Sequence, residues 1–174
     1  MDLEESLYIT HHGEARVTKW PGNEEVAGGN GVGSALNQLS VLHHVFVDGE
    51  RSIFVTDWHN HRVMKWSVGA KEGIVVAGGN GAGDDMSQLR HPISVTVDQM
   101  GTVYVLDHYN HRVTRWFKGA KSGSAIIGGV GTGSRNDQLN WPCSLAFDRQ
   151  GNLYVSDFSN HRAQMFAIDK SACA

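Results

Sequence analysis

Apolar residues in this chain alternate with small polar ones over short stretches, and those stretches return at a fixed distance. Pro92-Ile93-Ser94-Val95-Thr96-Val97 alternates with period two, and Thr102-Val103-Tyr104-Val105-Leu106 follows as a second, more apolar stretch. Such alternation predicts strands with one face buried. Pro92 suits a strand's first residue, where its missing N–H leaves no ladder bond unmade. Gln99-Met100-Gly101 reads as the turn between the two strands. His108-Tyr109-Asn110 reads as the next turn, with Asn110 expected to take the left-handed backbone region. Residues 111–117 predict a third strand, 118–123 a turn, and 124–127 a short fourth strand running into Gly128-Gly129. No helix is expected anywhere.

The same unit recurs every 50 residues. Asn60-His61-Arg62 returns as Asn110-His111-Arg112 and Asn160-His161-Arg162, and Asp57 returns as Asp107 and Asp157. Gln38-Leu39 returns at 88–89 and 138–139, and Val26-Ala27-Gly28-Gly29 at 76–79 and, loosely, 126–129. A period of this size marks units that cannot bury their own apolar faces and must stack on copies of themselves. Four short strands joined by tight turns make one antiparallel propeller blade. The expected fold class is therefore all-β, an arc of four-stranded antiparallel blades in one domain spanning 1–174. With strands lettered A to D from the axis outward, the units fall at about 1–29, 41–79, 91–129 and 141–168. The middle two are complete, the first lacks strand A, and the last lacks strand D. In the first, His11 and Glu14 replace the repeated Asp and Asn. Such an arc does not close by itself, so either further blades or a second copy is expected to complete the ring.

Val103-Tyr104-Val105-Leu106-Asp107, followed by Asn110-His111-Arg112-Val113 and preceded by Pro92 to Asp98, resembles the NHL repeat. The likeness covers nearly the whole chain, with departures at Leu42, Gly49 and Ala163. It implies a propeller, typically six-bladed, serving as a protein- or RNA-binding platform. The ubiquitin-ligase or signalling modules often attached to such platforms are not visible here.

Composition narrows the field further. A net charge of −3 argues mildly against a polyanion partner. Two cysteines, Cys143 and Cys173, are too few for a disulfide framework. No signal peptide is visible and no apolar run approaches the roughly 20 residues of a membrane helix. The expected setting is the cytoplasm if Met1 is the true start, with no membrane partner.

Repetition also sorts the chemistry. Gly29-x-Gly31-x-Gly33 invites a phosphate-loop reading, but no helix follows and the motif recurs, so it reads as a blade-to-blade turn. His61, His111 and His161 sit one per blade and are expected to fan around the disc instead of converging on a metal. Asp57, Asn60, Arg62 and their copies Asp107, Asn110, Arg112, Asp157, Asn160 and Arg162 read as turn-holding residues, with Arg expected to bridge to carboxylates or carbonyls of the neighbouring blade. Trp66, Trp116 and Phe166 read as packing between blades.

Function is expected where the copies differ. On the face carrying the D–A and B–C connections these positions are Trp58, His59, His108, Tyr109, Phe158 and Ser159, together with Arg90, His91 and Trp141. Aromatics of this kind anchor protein interfaces and also stack bases. The opposite face reads as mixed charge without bias. The expected function is a non-enzymatic protein-interaction platform with no cofactor or metal. An RNA platform is the alternative, and a propeller lactonase or lyase a third class that would need Asp, Glu, Asn or His converging on the channel, where strand A offers mainly Ser94, Thr96, Ser144 and His44.

Overall fold

The computed structural model describes residues 6–168; residues 1–5 and Cys173 lie outside them. Four antiparallel sheets follow one another along the chain. The first holds β1 (Leu7–His11), β2 (Arg16–Trp20) and β3 (Glu24–Gly28). The second holds β4 (Leu42–Val47), β5 (Ile53–Asp57), β6 (Arg62–Trp66) and β7 (Ile74–Gly78). The third holds β8 (Pro92–Val97), β9 (Val103–Asp107), β10 (Arg112–Trp116) and β11 (Ser124–Gly128). The fourth holds β12 (Pro142–Phe147), β13 (Asn152–Asp157) and β14 (Arg162–Ala167). The described residues thus form three-, four-, four- and three-stranded blades, each a meander in chain order. No helix among them is long and apolar enough to cross a membrane.

The apolar cores lie between blades. Val17 and Ala27 of the first sheet pack with Ile53, Val55, Met64 and Trp66 of the second. Phe54, Val63 and Ala77 pack with Val95, Val103, Val105 and Trp116 of the third. Tyr104, Leu106 and Val113 pack with Leu145, Leu153 and Val155 of the fourth. Alternate residues of each strand point to opposite neighbours, which explains why the middle blades are buried on both faces. At the ends one face is bare. Trp20 is 52% exposed and Tyr154 40%, while their counterparts Trp66 and Phe54 are at 1% and 2%. Inner strands add polar links: Val95 N donates to His44 Nδ1 (3.4 Å) and Leu145 N to Ser94 Oγ (3.3 Å). His44 thus links β4 to β8, and Ser94 links β8 to β12.

The repeated Asp, Asn and Arg form a clamp on the connector that enters their own blade, so Arg does not bridge to the neighbouring blade as expected: its carboxylate partner lies in the same blade and its carbonyl partners in that connector. In the third blade, Asp107 is fully buried and accepts from Arg90 N (2.6 Å), Asn110 Nδ2 (2.8 Å) and Arg112 Nε (2.7 Å). Asn110 also donates to Gly83 O (2.8 Å), and Arg112 donates to the carbonyls of Asp84, Asp85 and Gln88. The set repeats around Asp57 and Asp157. Burial pushes the Asp57 and Asp107 carboxyls up from the ordinary value, against the pull of these donors. At Asp157 burial still pushes upward, but the donors prevail and its pKa is lowered. The first blade lacks the clamp: His11 Nε2 pairs with Thr18 Oγ1 (2.8 Å) and Glu14 with Arg16 (2.5 Å).

Two expectations need correction. The B–C turns include single turns of 3₁₀ helix at His12–Glu14, His108–Asn110 and Phe158–Asn160, so the chain is not wholly free of helix. The left-handed residue of these turns is the histidine, not the asparagine: φ is +54° at His61, +49° at His111 and +51° at His161. The asparagine side chain is committed to the aspartate and to a connector carbonyl, so it sits one residue earlier. Histidine is among the few side chains that enter the left-handed region readily.

Asp107→Ala would leave the buried Arg112 guanidinium without its carboxylate partner. The expected loss is about 3–5 kcal/mol of unfolding free energy, measured by urea denaturation. A loss near zero would show that the carboxylate is dispensable to the turn.

Candidate functional site

The clamp brings the B–C turn of the second, third and fourth blades against the connector before strand A. Trp58 N donates to Val41 O (3.0 Å), Tyr109 N to Arg90 O (3.2 Å) and Ser159 N to Asn140 O (3.0 Å). Residues that differ between copies are thereby collected on one face.

There the rings make an unbroken belt across blades. His12 contacts His43 (6.1 Å between centroids), His43 contacts Trp58 (5.6 Å), and Trp58 lies on His91 (3.9 Å). His91 meets Tyr109 (4.7 Å), Tyr109 meets Trp141 (5.2 Å), and His108 touches both Tyr109 and Trp141. His59 packs on Trp58, and the Arg90 guanidinium lies 6.0 Å from the Tyr109 ring centre. Seven of the nine positions expected from sequence thus converge. Phe158 and Ser159 stand apart, Phe158 at 66% exposure and without a ring contact among the described residues. Sequence reasoning missed His12 and His43, which only the blade-to-blade spacing reveals.

It also read His61 and His111 as purely structural. Both serve the belt: His61 packs on His91 (4.5 Å) and His111 on Trp141 (4.9 Å). Each also accepts a backbone N–H from the next connector, His61 Nδ1 from His91 N (3.3 Å) and His111 Nδ1 from Trp141 N (3.2 Å). His91 and Trp141 themselves sit at φ +55° and +49°. Holding a bulky residue in that region costs on the order of 1–3 kcal/mol, and here the accepting imidazole helps hold it.

A backbone N–H can only donate, so Nδ1 of His61 and His111 must be unprotonated. Burial lowers the pKa of both, with the neighbouring cationic forms of His59 and Arg90, or of His108, adding to it. His43 and His91 are lowered for the same first reason.

Among the described residues no group of three or more His, Cys, Asp or Glu is placed to hold a metal ion. Gly78 has φ +67°, and a Cβ there would strike the His61 carbonyl, so its role is close packing against the B–C turn. The opposite face carries a cavity of about 680 Å³ between the second and third blades, lined by carboxylates and lysines as well as apolar side chains.

This architecture defines a β-propeller arc. Residues 89–116 match the family model for the NHL repeat, so the chain carries an NHL repeat in its third blade, and the clamp residues above reproduce that unit in the second and fourth. No curated protein matches the sequence. Among solved structures, the chain is similar to an auxiliary nutrient binding protein from Bacteroides thetaiotaomicron (12% identity, TM-score 0.69, covering 94% of this chain and 45% of that one). It is also similar to one from Bacteroides ovatus (16%, 0.65, 97% and 46%) and to a virginiamycin B lyase from Staphylococcus aureus (12%, 0.61, 99% and 55%). The chain therefore spans about half the length of these proteins, and at such identities the likeness shows the fold alone.

The lowered histidines give stability a pH dependence. A folded-state value below the unfolded 6.5 means the unfolded chain binds more protons as pH falls through that range, so acidification favours unfolding. The melting temperature should drop as pH goes from about 7.5 to about 5.5. The drop should be smaller in the His61→Asn/His111→Asn variant, whose amide oxygens accept without titrating. Equal slopes in the two proteins would contradict this account.

Proposed function

We propose that this protein is a non-enzymatic binding platform that takes a protein partner on the belt face. The observation that carries this reading is the continuity of the ring contacts from His12 to Trp141 across adjacent blades. Aromatic rings and arginine dominate the binding energy of protein interfaces, because they bury large area with few rotamers lost. Tyr109 and Trp141 are each 38% exposed, and Arg90 is exposed beside them. They are held from below by hydrogen-bonded turns, so little ordering remains to be done on binding. A nucleic-acid face would need several cations to meet phosphates, whereas Arg90 is the one cation stacked on a belt ring among the described residues.

Tyr109→Ala and Trp141→Ala are exposed truncations and should leave the melting temperature nearly unchanged. Each should weaken retention of a partner protein by about thirty-fold or more, read by affinity capture from host extract with quantitative mass spectrometry. Tight, salt-sensitive binding of an RNA pool in a filter assay, abolished by the same variants, would overturn the reading in favour of RNA.

A further inference from the structure

The cavity on the opposite face lies between the outer strand of the second blade and the A–B and C–D turns of the third. Its counterpart between the first and second blades measures only about 170 Å³. The repeat shows why they differ. Glu24 and Glu25 at the small site become Ile74 and Val75 at the large one. Arg51 becomes Gly101 and Ser67 becomes Phe117, and Met100, which replaces Glu50 in the repeat, joins the wall. Four polar positions of the small site turn apolar or bare together. The new apolar side chains are not covered: Ile74 is 60% exposed, Met100 59%, Val75 40% and Phe117 38%.

The cavity wall has a second peculiarity. Residues 74–80 border it consecutively. Side chains of a strand alternate between its faces, so a run of successive residues means that the edge, with its main-chain groups, faces the space. β7 is the outermost strand of its sheet and pairs with β6 alone. Outer edges are normally guarded by charge. β3 is guarded by Glu24 and Glu25, whereas β7 reads Ile-Val-Val-Ala-Gly.

The charges nearby are unevenly engaged. Asp48 accepts from Glu50 N (3.0 Å) and Ser52 N (2.8 Å) and lies 3.8 Å from Lys65. Asp98 accepts from Met100 N, Thr102 N and the Tyr104 hydroxyl. Lys118 and Lys121, on the third blade's wall, make no ion pair among the described residues. With Asp48 matched by Lys65, they face the carboxylates of Glu50 and Asp98, of which Asp98 is turned onto its three donors.

We propose that this groove docks an extended peptide segment of a partner protein by strand addition to β7. The peptide places alternate apolar side chains on Ile74, Val75, Met100 and Phe117 and an acidic side chain at Lys118 and Lys121. Main-chain bonds to β7 supply affinity, and the apolar floor with the lysine pair supplies selectivity. The site is on the opposite face from the aromatic belt and does not depend on it.

The test is a displayed library of random peptides of about ten residues, panned in parallel on the protein and on its Ile74→Glu/Val75→Glu variant. That variant copies the first blade's own solution at exposed positions, and an unchanged circular dichroism spectrum and melting temperature confirm its fold. Recovered peptides should share alternating apolar residues with an Asp or Glu. They should bind the parent at least about ten-fold tighter than the variant, lose binding when a central residue is replaced by proline, and weaken with Lys118→Glu/Lys121→Glu. Binding should survive Tyr109→Ala. No enrichment, or peptides that bind parent and variant equally, or that tolerate the proline, would overturn the proposal.

Discussion

A blade of this size has two apolar faces and no interior, so what holds the arc together is the fixing of each blade against the chain that leads into it. The buried carboxylate of Asp57, Asp107 or Asp157 performs that fixing. It gathers a connector N–H, an asparagine amide and a guanidinium at one point, and the guanidinium in turn takes three connector carbonyls. Without it a connector would have to leave polar backbone groups unmet beside the core. With it, a B–C turn and a D–A connector lie side by side, and everything on the belt face follows from that contact.

The division between repeated and unrepeated residues runs through the whole molecule. Repeated positions close the blades: Leu39, Leu89 and Leu139 are fully buried, and Trp66 and Trp116 fill neighbouring interfaces. Unrepeated positions decorate the rigid frame so formed. On one face they are the rings and Arg90. On the other they are Ile74, Val75, Met100, Gly101 and Phe117, which open a groove where the preceding interface has nearly none. His61 and His111 belong to both groups, since they hold a left-handed turn and pack on a belt ring at the same time.

Strand order and the residues of the clamp could be read from spacing because each is written three times. Asn110 misled because its chemistry suits either a left-handed backbone or a side-chain clamp, and only the position of Gly83 O decides for the second. His12 and His43 were invisible to the repeat because their meeting depends on how the first, incomplete blade packs on the second. The groove was hidden for another reason: it needs Glu24, Arg51 and Ser67 compared with Ile74, Gly101 and Phe117 across a blade interface, which scanning for charge alone does not do.

Amide hydrogen exchange tests most directly whether the buried carboxylates fix the connectors. Ser40, Arg90 and Asn140 donate their amides to Asp57, Asp107 and Asp157 from otherwise irregular segments. If the clamp is what holds the arc, these three amides exchange as slowly as those of β9 and β10, because opening them requires opening the blade. Exchange at the rate of the exposed A–B turns would contradict it.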